Sequence, residues 1–290
     1  MTVRDAIAWP WWAGHMLGRC LSLSRPMPGA FRILLIHDVP RRCISAFECL
    51  IAEIAATNGF ITPVEVEARL TGNSRSTSGD HVPYLLTFDD GYVTHDDLAR
   101  TVLAHHGISA IFFVCPGLID LPADEQPAAI AHHIYADTIT IADVARRKLS
   151  LMSWEAVTAL RKMGHTIGAH TLTHASLAAL HGDALRQEVK GSRDRIAEAT
   201  GEIPLWFASP YGEIDTIDRD ALAVVGEHFR FCRSGVRGLN TPDTHRLGLL
   251  GESIDLSAGR AWQKLEITGA LDFRYRTARR RLSAMLEGMS

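Results

Sequence analysis

Short runs of branched and aromatic residues alternate along the chain with longer segments in which apolar residues recur every three or four positions. The short runs predict buried strands, and the longer spacing predicts amphipathic helices. Their alternation indicates βα units around a parallel sheet. The predicted strands are 31–37, 83–89, 108–114, 165–170 and 204–209, followed by 228–234 and 245–251, where Arg and Gly interrupt the apolar run. The predicted helices are 44–56, 93–106, 153–163, 181–199 and 216–225.

Three segments depart from this alternation. Residues 71–80 are polar and rich in Gly and Ser, which predicts a surface loop. Residues 116–150 are longer than an ordinary βα connection and predict a partly helical insertion at the rim. Residues 257–287 are predicted to be helical, and their basic stretch 273–281 indicates a solvated face, with an anionic surface as the alternative contact.

Length and charge favour one main domain. The chain has 290 residues, of which 47% are hydrophobic and 22% charged, and its net charge is −3. These values argue against disorder and against a surface that binds nucleic acid. We predict an N-terminal extension (1–30), a main domain (31–256) and a C-terminal helical segment (257–290).

Cysteine usage bears on the compartment of the protein. The five cysteines are odd in number and none belongs to a CxxC pair, which argues against a disulfide framework and a structural zinc site. They are typical of buried thiols in a reducing compartment.

The N-terminal 30 residues lack the uninterrupted run of ~7–15 apolar residues of a signal peptide, so we expect them to be retained. Trp9, Trp11 and Trp12 are expected to pack against the barrel exterior, and peripheral membrane contact is the alternative. The expected location is the cytoplasm, with the inner membrane face as the second interpretation.

Two motifs suggest a cation site. In TFDDGY (87–92), Asp89 and Asp90 are adjacent carboxylates at a strand end, which is unfavourable unless a positive charge is near, although Asp-Asp-Gly is also ordinary turn chemistry. In GAHTLTH (168–174), a helical segment would place His170 and His174 on one side, where both could bind one metal. With fourteen histidines in the chain, a chance pair is the alternative.

A third motif, FASPYG (207–212), also follows a predicted strand. Pro210 stiffens the turn and Gly212 allows it to be sharp. The Tyr211 side chain at such a turn commonly packs, and its backbone N–H could instead donate to an oxyanion.

In this order the three motifs resemble the polysaccharide deacetylase family, the NodB-homology or carbohydrate esterase family 4 enzymes. The resemblance extends from about 31–40 to near 249. It implies a distorted (β/α)7 barrel, an α/β fold with its site at the strand C-terminal ends. It also implies that Asp90, His170 and His174 bind a divalent metal, usually zinc and in some members cobalt or nickel, and that Asp89 is the catalytic base.

The chain departs from the family pattern at two places. No clear Leu-x-His motif follows residue 250 to supply the general acid, so His37 at the end of the first strand is our candidate, with His245 second and a structural role for His37 as the alternative. Ala208 stands where many members carry an Arg that orients the base, which leaves the orientation of Asp89 open.

Several residues are expected to line the substrate groove. Asp38 is placed there with Tyr211 and Pro210, and Trp154 and Trp206 are further candidates, although Trp206 fits a core position equally well.

The resemblance implies a metal-dependent hydrolase that removes acetyl groups from N-acetylhexosamine units of a polysaccharide, oligosaccharide or glycolipid intermediate. Assembly of an extracellular polysaccharide is the expected setting, and an N-acetylated glycan is the expected partner. One alternative is hydrolysis of a non-sugar amide on the same fold. The other is a catalytically silent carbohydrate-binding protein, against which the intact Asp89, Asp90, His170 and His174 argue.

Overall fold

A computed structural model describes residues 27–71 and 81–289, so the predictions for the N-terminal tryptophans and for most of the loop 71–80 lie outside the described residues. The strands are β1 (Arg32–Ile36), β2 (Tyr84–Phe88), β3 (Ile111–Val114), β4 (Thr166–Ala169), β5 (Trp206–Ala208), β6 (Phe231–Arg233) and β7 (Glu252–Ser253). These seven parallel strands form one curled sheet in the order β6-β5-β4-β3-β2-β1-β7, which confirms the predicted distorted barrel.

Helices connect the strands and cover the outside of the sheet. They are α1 (Ile44–Thr57), α2 (Pro63–Leu70), α3 (Val93–Leu98), α4 (Pro116–Ile119), α5 (Gln126–Ala129), α6 (Ile141–Arg147), α7 (Trp154–Lys162), α8 (Gly182–Thr200), α9 (Arg219–His228), α10 (Arg260–Ile267) and α11 (Arg276–Leu286). Helix α3 continues into a π-helical turn (Ala99–Leu103) and a last turn (Ala104–His106), and α5 continues into a second π-helical turn (Ile130–Ile134). Among the described residues, no helix is long and apolar enough to span a lipid bilayer.

The predicted helices and the partly helical insertion are present, and α2 is an additional helix that periodicity did not indicate. Thr62 caps α2 by accepting from the Glu65 amide, the Glu65 carboxylate accepts from the Thr62 amide, and Pro63 occupies the first turn. This capping box with an N-terminal proline is the sequence signal that could have identified the helix.

Alternate strand residues divide into two buried clusters because successive side chains point to opposite faces of a strand. One cluster lies inside the barrel and contains Ile33, Leu85, Phe113, Trp206 and Phe231. The other lies between sheet and helices and contains Leu34, Leu86, Phe112 and Phe207. Trp206 is 1% exposed, so it belongs to the core and not to a substrate groove.

The barrel closes through a bent segment that corrects the seventh predicted strand. Leu249, inside the predicted 245–251, pairs with Arg233 of β6, but the strand itself is Glu252–Ser253 and pairs with β1. Gly251 permits the bend, since a Cβ there would lie 2.6 Å from the Ser234 carbonyl oxygen.

Asn240 bridges this closure. Its backbone exchanges two 3.0 Å hydrogen bonds with Phe31, just before β1. Its side-chain amide donates to the Leu250 carbonyl and its amide oxygen accepts from the Leu250 N–H, both at 2.9 Å. Asn240 therefore links the residue before β1, through its backbone, to the segment before β7, through its buried carboxamide.

Buried ion pairs hold the C-terminal helices against the sheet. Arg32 on β1 pairs with Glu252 of β7 and with Asp272 at 2.9 Å. Helix α11 buries Leu282 and Leu286 and leaves Arg276 and Arg280 exposed, as predicted for its basic face. Arg279 departs from this prediction, because it is half-buried and donates to the Arg237 and Asp272 carbonyls. The boundaries of the three predicted segments stay predictions.

Candidate metal centre

The two aspartates follow β2 and are both buried, each 2% exposed. The Asp89 amide donates to Ile36 and so continues the pairing with β1. Asp90 has a φ of 72° and Gly91 of 76°, so the chain turns sharply through two left-handed residues. Asp is among the residues that tolerate this conformation best. The turn separates the two carboxylates, so that they can hold different partners.

The histidine motif forms a turn, so the expectation of a helix there was wrong. Thr171 and His174 have φ values of 60° and 64°, which a right-handed helix does not contain. Glu188 on α8 fixes the turn by accepting from the amides of Leu172 and Thr173, both at 2.9 Å, and from the Thr173 hydroxyl at 2.8 Å. The turn nevertheless brings the two imidazoles together, with ring centroids 4.9 Å apart.

Asp90, His170 and His174 form a buried cluster in which the three ligand atoms lie within 4.8 Å of one another. His170 Nε2 is 3.6 Å and His174 Nε2 is 3.4 Å from Asp90 Oδ1. Each histidine faces a backbone carbonyl through Nδ1, at 2.8 Å from Ala208 for His170 and 2.9 Å from His133 for His174. An Nδ1–H donor in each ring leaves Nε2 as the free acceptor, which is the tautomer a metal ligand needs.

The chemistry of this cluster fits a divalent cation. Asp90 Oδ1 is buried and has no hydrogen-bond partner among the described residues, although it faces two imidazole nitrogens. Such an atom is costly unless a cation or water satisfies it. Two histidines and a carboxylate are typical protein ligands of a catalytic zinc site, which keeps a further coordination position open.

Burial sets the protonation states of the ligands. It lowers the pKa of His170 to about 3 and also lowers the pKa of His174, so both rings are neutral near pH 7. Burial raises the pKa of Asp90 to about 7, with the neighbouring His37 opposing and Asp89 adding to the shift. The neutral imidazoles are ready to bind a metal, whereas Asp90 must first release its proton.

Asp89 is held by an arginine that sequence reasoning missed. Arg233 Nη2 lies 2.6 Å from each of the two Asp89 carboxylate oxygens. Burial alone would raise the pKa of Asp89, but Arg233 and then His170 outweigh it, so that the pKa lies below its usual value. Asp89 Oδ2 is 4.0 Å from His170 Nε2, which places an ionised carboxylate beside the ligand cluster.

Arg233 occupies the position next to Ala208. The two residues are register partners on β6 and β5 and lie on the inner side of the barrel. Arg233 is 1% exposed and its guanidinium carbon lies 5.2 Å from the centre of the Phe113 ring. The guanidinium therefore reaches Asp89 from the strand beside the one on which the family pattern has it.

The FASPYG turn lies against the same cluster. Tyr211 is left-handed, with a φ of 61°, and its ring packs 4.6 Å from the His174 ring. Its hydroxyl donates to the His133 carbonyl at 2.6 Å. Pro210 is buried, and its carbonyl accepts from the Thr216 hydroxyl at 3.0 Å. The roles of Tyr211 and Pro210 in binding a substrate stay predictions.

His37 lies at the end of β1 with an exposed side chain. It is close enough to act electrostatically on Asp89 and Asp90, and a positive charge there would lower the pKa values of both, so His37 belongs to this end of the barrel. The neighbouring Asp38 accepts from Thr94 at 2.9 Å. His245, the second candidate for the acid, instead contacts the Met289 carbonyl at 3.2 Å.

Trp154, the remaining groove candidate, donates from its indole N–H to Asp120 at 2.7 Å. The Arg195 guanidinium lies 4.6 Å from the centre of its ring and also pairs with Asp120 at 2.7 Å. Trp154 therefore contacts Asp120 at the end of α4 and Arg195 on α8, and its place in a substrate groove stays a prediction.

A family comparison agrees with the geometry. The model of the polysaccharide deacetylase family matches residues 77–228, just over half of the chain. The chain belongs to the polysaccharide deacetylase family. This match includes both aspartates, both histidines and the FASPYG turn.

Two curated relatives are similar over about half of the chain. A chitin deacetylase of Pestalotiopsis sp is 23% identical over 50% of this chain and 39% of the relative. A chitooligosaccharide deacetylase of Rhizobium leguminosarum bv. trifolii is 27% identical over 44% of this chain and 45% of the relative. The match thus spans less than half the length of each relative.

Solved structures share the fold over most of the chain. The BpsB deacetylase domain of Bordetella bronchiseptica superposes with a TM-score of 0.62 at 21% identity, covering 80% of this chain and 98% of that one. IcaB of Ammonifex degensii gives a TM-score of 0.58 at 20% identity, covering 81% and 96% of the two chains. Likeness at this level of identity concerns the fold.

Proposed function

We propose that the protein is a metal-dependent hydrolase that removes acetyl groups from N-acetylhexosamine units of a polysaccharide, oligosaccharide or glycolipid intermediate. The observation that carries the proposal is the ionised Asp89, paired with Arg233 and 4.0 Å from a metal ligand of the buried Asp90–His170–His174 cluster. A protein that only bound a glycan would not require a base at that position. The deacetylase relatives support the choice of an acetamide as the scissile group.

The ligand set is Asp90, His170 and His174, and zinc is the metal that its donor atoms favour. A divalent cation at this site supplies Lewis-acid polarisation of the acetamide carbonyl and a lower pKa for the attacking water. Asp89 is the base that takes the proton from that water. Arg233 keeps the carboxylate oriented and ionised for this purpose.

The reaction also requires a proton for the amine leaving group and a hydrogen-bond donor for the oxyanion. In the proposal, His37 donates a proton to the amine leaving group from the exposed end of β1. The backbone N–H of Tyr211 donates to the oxyanion, and Asp38 and Pro210 line the groove with the Tyr211 ring. Cleavage of the C–N bond then leaves acetate and a free amino sugar.

Acetate release tests this proposal directly. The purified protein is incubated with chito-oligosaccharides and with other N-acetylated glycans after chelation and again after addition of zinc or cobalt. We expect acetate only in the metal-loaded samples, and none from Asp89→Asn even when that variant is loaded. Metal-independent release, or full turnover by Asp89→Asn, would contradict the mechanism. Release from simple N-acetylated amides but from none of the glycans would assign a non-sugar substrate.

A further inference from the structure

The insertion between β3 and α7 contacts the candidate metal ligand His174 through its backbone. Its segment 126–137, here the clamp segment, consists of α5, the π-helical turn Ile130–Ile134 and the residues that end it. The carbonyl of His133 in that turn lies 2.9 Å from His174 Nδ1 and accepts from the Tyr211 hydroxyl at 2.6 Å. One main-chain oxygen thus binds a ligand histidine and a residue of the FASPYG turn.

The way in which the helix ends makes this oxygen available. In the last turn, the Tyr135 amide donates to Ile130 at 3.2 Å and the Asp137 amide donates to Ala131 at 2.9 Å. Ala136 and Asp137 are both left-handed, with φ values of 47° and 59°, and turn the chain away. Neither amide takes the His133 carbonyl, which faces the side chains of His174 and Tyr211.

We propose that the clamp segment is part of the metal centre, and that its π-helical turn sets the affinity for the metal by fixing His174 through the His133 carbonyl. The proposal rests on the proposed function, since it concerns the same three ligands. An acceptor at Nδ1 selects the tautomer that presents Nε2 and makes that nitrogen a better donor to a cation. The last carbonyls of a helix lack intrahelical donors, and the His133 carbonyl is one of them. Metal binding and the order of the clamp segment should then be coupled in both directions.

An amide-to-ester exchange tests the carbonyl without changing any side chain. Replacing Ile134 by its α-hydroxy analogue, through nonsense suppression in the full chain, converts the His133 carbonyl into an ester carbonyl, which is a weaker acceptor. The matched control replaces Ala145 of α6 by lactic acid, which removes one helical N–H and weakens the Val144 carbonyl, outside the clamp segment. Zinc affinity is measured by competition with a chromogenic chelator. Hydrogen exchange of 126–137 is followed with and without zinc.

We expect the Ile134 ester to bind zinc about 10- to 100-fold more weakly than the native chain, and the Ala145 ester to bind it nearly as well. Zinc should slow exchange of the amides of 130–137 in the native chain and less so in the Ile134 ester. Equal affinities in the two esters, or exchange that zinc does not alter, would overturn the proposal and leave the deacetylase assignment intact. A native chain that binds no zinc would contradict both the role of the clamp segment and the proposed metal-dependent function.

Discussion

Arg233 donates from one nitrogen to both oxygens of Asp89, at 2.6 Å each, from a strand position that is the register partner of Ala208. Both residues are buried, Arg233 to 1% and Asp89 to 2% exposure. Removing one member of such a pair typically costs ~3–5 kcal/mol. The guanidinium therefore contributes both to the free energy of unfolding and to the ionisation of Asp89.

The first prediction concerns Arg233→Met. We expect turnover to fall about 10²-fold because the base loses its orientation. Burial would then dominate the pKa of Asp89 and raise it, so the acid limb of the pH–kcat/KM profile should move to higher pH. Zinc content should stay at the native level, since Arg233 touches none of the three ligands.

Relocating the arginine provides the matched control. In Ala208→Arg combined with Arg233→Ala, the guanidinium enters from β5 at the same level of the barrel. Partial recovery of turnover and a return of the acid limb would show that Asp89 needs the charge and not the particular strand. An acid limb that does not move in Arg233→Met would rule out control of the base by Arg233.

The second prediction concerns zinc affinity and pH. Asp90, whose pKa burial raises to about 7, must lose a proton to bind the metal, whereas His170 with a pKa of about 3 does not compete in this range. Affinity should fall about tenfold per unit as pH decreases below about 7. Since the folded pKa lies above the unfolded value of 3.8, the metal-free fold loses stability as pH rises through this window.

Thermal unfolding measured with and without zinc from pH 5 to 8 checks the direction of this pH dependence. The increase in Tm on adding zinc should grow with pH and level off above about pH 7. In Asp90→Asn the increase should be small at every pH. An increment that is largest at pH 5 would be the reverse of what the carboxylate requires.

The third prediction concerns His37→Ala. As the general acid, His37 would contribute ~10²–10⁴-fold to turnover. Because its side chain is exposed, the free energy of unfolding should change by no more than ~0.5 kcal/mol. His245→Ala is the control, and its turnover should match the native enzyme because that ring contacts Met289. Native kinetics in His37→Ala would assign His37 a structural role.

The fourth prediction concerns Glu188→Ala, which removes the acceptor of two backbone amides and a hydroxyl in the histidine turn. Leaving these donors unsatisfied should lower the free energy of unfolding by ~1–3 kcal/mol. Zinc affinity should also fall, because the turn that places His170 and His174 loses its anchor. Gln187→Ala, an exposed change on the same helix, should leave both quantities unchanged. Equal zinc affinities in the two variants would mean that the histidine turn keeps its conformation without Glu188.

The sequence predicted the strands and the three motifs because their signals are local. Apolar runs located six strands, and each motif follows a strand end, where a parallel sheet collects its functional residues. Arg233 was missed because its contact depends on the register of β5 and β6. A signal was nevertheless present. Phe231 and Arg233 are two residues apart and so share one face of the strand, and an arginine stands there in place of the apolar side chain expected on a buried face.

Two other features had no side-chain signal. The histidine turn depends on left-handed backbone at Thr171 and His174, and the β-branched Thr171 seldom adopts that conformation. Glu188 on another helix holds the turn through Leu172 and Thr173. The contact of His133 with His174 uses a main-chain carbonyl, which every residue has. Pattern reasoning recognises residue types, so it cannot identify a role that a backbone atom performs.

Asn240 has a consequence for local unfolding of the barrel. Its backbone binds Phe31 and its carboxamide binds Leu250, whose neighbour Leu249 pairs with Arg233. Local unfolding at this closure would displace the strand that carries the guanidinium, whereas the three metal ligands follow other strands. Distant substitutions that weaken the Asn240 contacts should therefore impair the base while leaving the ligands of the cation in place.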